Sequence, residues 1–61
     1  MKEKVKALVL MPGYASIGEM GIVIEEFAEL SGEIMRVVKF KEGGYAIFGN
    51  VAFSTMLKVV K

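Results

Sequence analysis

Ser16, Ser31 and Ser54 are the serine hydroxyls this chain could use as nucleophiles, and the only bases the sequence can set beside them are lysines. With no His and no Cys, neither a hydroxyl–imidazole pair nor an activated thiolate can be assembled. A Ser–Lys pair stays formally open, but a chain of 61 residues builds little pocket around one. Glu25 and Glu26 are adjacent, so on a strand they project to opposite faces and cannot work together. Glutamates alone can hold calcium or magnesium, yet no segment has the loop spacing of an EF-hand. Gly18-x-x-Gly21 and Gly43-Gly44 lead no phosphate-binding pattern into a helix, so both pairs read as turn glycines. The expectation is a protein that is not an enzyme, with no catalytic residue, no cofactor and no metal.

Binding chemistry is better represented. Arg36 and Lys39 flank Val37-Val38, Lys41 follows, and Tyr45 and Phe48 lie across the next turn. Basic residues interleaved with aromatics on a small β-domain can take nucleic acid through phosphate contacts and stacking. Two features oppose that reading. Arg36 and Lys39 are three apart and face opposite ways on a regular strand, and five glutamates upstream repel phosphate. A protein-docking surface uses the same residues without that conflict.

These side chains must be carried by short elements. Val5 to Met11 is apolar, β-branched and cut by Pro12-Gly13, which predicts a first strand and then a loop. Gly21 to Glu26 is the second strand, reached through a turn in which Gly18 or Gly21 supplies backbone freedom. Leu30 to Glu33 is the next turn and Ile34 to Phe40 the third strand. Lys41 to Gly44 suits a tight hairpin with a bulge, returning as Tyr45 to Phe48. Gly49-Asn50 breaks the pattern, Val51 to Met56 holds a helical turn, and Leu57 to Val60 closes the chain as a fifth strand. Five short strands separated by turns predict an all-β fold, a small five-stranded barrel of the SH3-like kind, spanning residues 1–61 as one domain.

A rival reading places a helix at about residues 16–30, because Ile17, Met20, Ile24, Phe27 and Ala28 fall at helical spacing. It would make the fold α+β, βαββ. Gly18 and Gly21 would each cost about 1 kcal/mol in such a helix, and Ile22-Val23-Ile24 is a β-branched run.

Composition sets the remaining bounds. The chain is 54% hydrophobic, too apolar for disorder, and no apolar run reaches the roughly 18 residues of a membrane span. The basic N-terminus precedes an apolar run without a small-residue cleavage site, so no signal peptide is read and a cytoplasmic location is expected. Without cysteine, no disulfide or thiolate zinc site staples so small a core. Self-association or a standing partner is therefore expected, the more so because Met35 and Val37 share one face of the third strand while Ile34, Val38 and Phe40 share the other. A bulge that shifts the register is the simpler explanation of that doubly apolar strand. Abundant Glu and Lys with few amides matches heat-adapted proteins, which suggests a thermophilic source. Net charge is +1 but uneven: residues 1–16 carry +2, residues 17–33 carry −5 and residues 34–61 carry +4.

Pro12 followed by Gly18-Glu19-Met20-Gly21-Ile22-Val23, then Val37-Val38-Lys39-Phe40, Glu42-Gly43-Gly44 and Asn50-Val51-Ala52-Phe53 running into Leu57, resembles the SH3-like accessory proteins of electron-transport complexes. The families concerned are the SH3-like accessory protein of photosystem I and its small counterpart in the photosynthetic NDH complex. The glycine spacing before Val23 is similar to that of KOW domains as well. The first resemblance implies a non-catalytic accessory or protein-interaction module that docks on a larger partner or on itself. Arg36, Lys39 and Lys41 would be its docking charges, and Tyr14 and Tyr45 its aromatic contacts. The KOW resemblance implies nucleic-acid binding as the alternative.

Overall fold

The computed structural model describes residues 2–60. Its elements are β1 (Lys4–Ala7), β2 (Met20–Ala28), β3 (Ile34–Phe40), β4 (Tyr45–Phe48), α1 (Asn50–Met56) and β5 (Leu57–Val60). The five strands form one antiparallel sheet in the order β4-β3-β2-β1-β5, so the chain meanders from β2 to β4 and β5 returns beside β1. β2 is the longest strand and pairs with β1 through its first residues and with β3 through nearly all of its length. The product is the small all-β, barrel-like fold that the strand pattern predicts.

The helix over residues 16–30 does not form. Its apolar stripe is dispersed instead: Ile17 is 69% exposed, Met20 opens a strand, and Phe27 and Ala28 project to opposite faces. The decisive local feature is Gly18, at φ +86°, whose N–H donates to the Ala7 carbonyl (2.8 Å) while Glu19 N–H closes a turn on the Ser16 carbonyl (3.0 Å). A side chain at that φ is strained, and the β-branched run behind it favours extended backbone. Gly21 serves a different need. A Cβ there would stand 2.8 Å from Val38 Cγ1, so its bareness lets β2 lie close against β3.

β1 is shorter than the apolar run that encodes it. It ends at Ala7 rather than Met11, because the next residues bend away to make a long loop that returns through Pro12-Gly13. In that loop Tyr14 N–H donates to the Met11 carbonyl (2.9 Å), and Met11 and Ala15 bridge and bury each other. Leu8, Val9 and Leu10 stay exposed.

The core is Val5, Ala7, Met11, Ala15, Val23, Val38, Phe40, Phe48, Phe53 and Leu57, all with little or no exposure. Phe40 and Phe48 meet edge to face at 6.2 Å, inside the geometry aromatic pairs prefer. A bulge falls in β2 between Val23 and Glu25, not in β3. Past it, Glu26 takes the core-side position that Glu25 would otherwise hold. β3 therefore keeps its doubly apolar character. Met35 and Val37 lie on the outer face beside Phe27 and Ile47, both substantially exposed.

Candidate functional site

The structure divides the predicted binding residues between two faces. Arg36 lies opposite Phe48 on the core side of the sheet. Its guanidinium sits 4.7 Å from the centre of the Phe53 ring, Nη1 donates to Asn50 Oδ1 (3.0 Å), and Nε lies 3.6 Å from Glu26 Oε2. Glu33 Oε2 accepts the Asn50 N–H (3.0 Å) from the same side. Arg36 and Glu33 thus fasten the start of α1 to β3 and to the β2–β3 turn.

Lys39 is on the outer face, as the three-residue spacing from Arg36 requires. Its Nζ donates to the carbonyls of Phe40 (2.8 Å) and Gly43 (3.3 Å) and lies 5.6 Å from the Tyr45 ring. Lys41 is exposed next to it and extends the pairing by donating its N–H to the Met20 carbonyl (3.0 Å). Lys39, Lys41 and Tyr45 are therefore brought together, and Arg36 is not among them.

Tyr14 and Tyr45 both line one apolar groove of about 520 Å³. Met11 and Tyr14 wall it on the loop side, Ala52 and Met56 on the helix side, and β4 forms its base. Glu19 sets the position of that loop. Its Oε1 accepts the Ser16 N–H (3.0 Å), while Oε2 accepts the N–H groups of Glu42 (2.8 Å) and Gly43 (3.1 Å), so one carboxylate ties the loop after β1 to the β3–β4 hairpin. Gly43 completes the contact: neither hairpin glycine has positive φ, but a Cβ on Gly43 would overlap the Tyr14 carbonyl. The bonds from Ser16 and Glu42 chiefly hold the Glu19 carboxyl below its ordinary value of 4.5, against the opposing effect of desolvation, with smaller help from Gly43 and the Lys39 charge. Nothing in the sequence marks Glu19 for this role, because its partners in the hairpin lie 23 and 24 residues away.

β4 forms an edge of the sheet. Phe40 N–H donates to the Gly44 carbonyl (3.2 Å), and the alternation of an antiparallel ladder then turns the N–H and C=O groups of Ala46 and Phe48 toward β3 and those of Tyr45 and Ile47 away from it. Among the described residues no hydrogen bond uses the N–H or C=O of Tyr45 or Ile47. Both side chains are 59% exposed. The strand Tyr45-Ala46-Ile47-Phe48 has no charge, no proline and no bulge, the devices that ordinarily blunt an edge. On the opposite edge, β5 carries Lys58, and its Leu57 N–H donates to the Phe53 carbonyl.

No family model, no curated protein and no solved structure matches this chain. Among the described residues no helix is long and apolar enough to cross a membrane, and no group of three or more His, Cys, Asp or Glu is placed to hold a metal ion. The serines are used locally: Ser54 Oγ donates to the Val51 carbonyl (3.0 Å) and Ser31 Oγ accepts the Glu33 N–H (3.4 Å).

Proposed function

We propose that this chain is a non-catalytic protein-interaction module whose docking element is the open edge of β4, and that the strand it takes there is β4 of a second copy. The observation that carries the reading is the pair of outward N–H and C=O groups on Tyr45 and Ile47, facing an apolar groove. Their spacing is self-complementary. In an antiparallel pairing centred on Ala46, Tyr45 of each copy meets Ile47 of the other, so every free donor and acceptor on the edge finds a partner. Tyr beside Ile on the shared outer face is a favourable cross-strand pair, and no charge stands in the strand to oppose it. Tyr14 and Met56 on the groove walls add apolar contact around the new ladder.

Strand addition supplies affinity through the main chain and specificity through alternate side chains. Stable interfaces bury about 800 Å² per partner, and a four-residue strand reaches that only with help from the walls. A concentration-dependent dimer is therefore expected. Ile47→Pro tests it, because the substitution removes an outward N–H and leaves the bonds to β3 in place. Light scattering after size exclusion should find a dimer for the parent chain at high concentration and a monomer for the proline variant. A parent chain that stays monomeric across the concentration series sinks self-pairing. In that case, protection of the Tyr45 and Ile47 amides from hydrogen exchange by a larger partner would assign the edge to docking instead.

A further inference from the structure

The cross-strand register assembles a second surface, on the outer face of the sheet, that meets the groove only at Tyr45. One row across the five strands reads Val60, Lys4, Ile22, Lys39, Tyr45. The adjacent row reads Lys58, Lys6, Met20, with Lys41 bonded to Met20 at its end. Residues paired across an antiparallel ladder share a face, and so do residues two apart along a strand. Five lysines therefore project from one face in two neighbouring rows, and neither row contains a glutamate.

The acids are placed elsewhere. The β2 bulge is the boundary, since Glu25 is the first acid of β2 on the outer face and lies a row further on, beside Val37. Glu3 and Glu42 stand at the rim next to Lys4 and Lys41 in the chain, and the Glu19 carboxylate is occupied by backbone N–H groups. The one ion pair among the described residues is Arg36 with Glu26, on the other side of the sheet. Lys6 and Lys58 stand directly opposite each other, and among the described residues no ion pair offsets the repulsion. A protein that has only +1 of net charge has concentrated five of its basic residues where they destabilise one another.

We infer that this face binds the phosphate backbone of a single-stranded nucleic acid. Charge complementarity carries the argument, and the floor between the rows refines it. Lys4, Lys39 and Lys41 line a groove of about 320 Å³ together with Met20 and Ile22. An apolar floor under a cationic rim accepts a sugar or base edge beneath its phosphates. Tyr45, exposed at the end of the lysine row, is placed to stack on a base. Lysines are compact point charges that can meet phosphate oxygens without a fixed approach geometry.

The test is a titration of fluorescein-labelled oligouridylate and oligothymidylate, about 20 nucleotides long, with the full chain at about 25–300 mM salt. Roughly four to five phosphate contacts predict that log K falls against log salt with a slope of about −3. The double variant Lys6→Gln/Lys58→Gln should weaken binding at least about tenfold at low salt and flatten the slope by about 1.4. Lys6→Arg/Lys58→Arg keeps the charge and should restore both values, which a purely structural role would not predict. Lys41→Gln, on the hairpin and outside the β1–β5 pairing, should flatten the slope by about 0.7 with the fold intact by circular dichroism. Absence of binding at about 25 mM salt overturns the inference. So does a slope unchanged in both glutamine variants, or tighter retention on polyglutamate or phosphatidylglycerol vesicles than on either oligonucleotide. Ile47 lies outside both lysine rows, so Ile47→Pro should keep the parent's salt slope, and failure of the β4 pairing leaves this result separate.

Discussion

Single side chains at the loop after β1 decide where the tyrosines stand. Glu19 is ionised in the fold and accepts three backbone N–H groups, so its carboxyl titrates below the unfolded value. The sign follows from linkage: a depressed folded pKa contributes stability that is present above the ordinary glutamate value and lost as pH falls through the folded one. Thermal melts from about pH 7 down to pH 3 should therefore fall more for the parent chain than for Glu19→Gln. Parallel curves for the two would show that Glu19 does not clamp the loop. Gly18 is the other residue that matters singly. Space around it is open, so Gly18→Ala is a test of φ alone and should cost about 1–2 kcal/mol. In a domain of this size that lowers the midpoint of thermal unfolding by roughly 4–16 °C. Gly18→Asn should cost less, because asparagine tolerates the left-handed region better.

At the level of elements, β3, β4 and β5 lie where their residue pattern places them, because each is a short apolar run bounded by glycine, asparagine or a charge cluster. β2 is legible in type and not in length. Its bulge carries the pairing past Glu26 to Ala28, and such a bulge depends on the partner strand rather than on β2 itself. β1 reads as longer than it is, since Leu8-Val9-Leu10 has strand composition, but Leu8 N–H goes to the Met56 carbonyl (2.8 Å) and the chain turns away from the ladder once Gly18 has taken the Ala7 carbonyl. Of the candidate site, the meeting of Lys39, Lys41 and Tyr45 follows from hairpin register alone. The diversion of Arg36 does not, because Phe53, Asn50 and Glu26 are contributed by parts of the chain well apart from it in sequence. That diversion gives α1 its anchor. Arg36→Ala should destabilise the fold by about 1–2 kcal/mol and speed hydrogen exchange in α1 before the rest of the sheet. Arg36→Lys should recover less than half of the loss, since an ammonium cannot bond Asn50, approach Glu26 and lie flat on Phe53 at once.

Across the whole molecule, opposite ends of the sheet serve opposite chemistries. The bulge separates a lysine face, built on β1, β5 and the end of β3 with its hairpin, from a region where Glu25, Glu26, Glu29 and Glu33 surround exposed apolar residues. Segment charges in the sequence of +2, −5 and +4 already point to such a division, but they do not reveal it as one face. The N-terminal and C-terminal lysines become neighbours only because β5 returns beside β1. Confining like charges in this way has a consequence for stability that needs no ligand. Salt screens exposed charges over about 8–10 Å at 0.1–0.15 M, a reach that covers neighbouring strands about 4.8 Å apart. Raising sodium chloride from about 20 to 200 mM should therefore raise the unfolding midpoint of the parent chain. Lys58→Gln removes the charge that faces Lys6, so it should unfold at a higher temperature than the parent at about 20 mM salt and gain less from added salt. A Lys58→Gln melt that coincides with the parent at both salt concentrations would mean that Lys6 and Lys58 are too widely splayed to interact, and the lysine face would then lose the repulsion that marks it as a single surface.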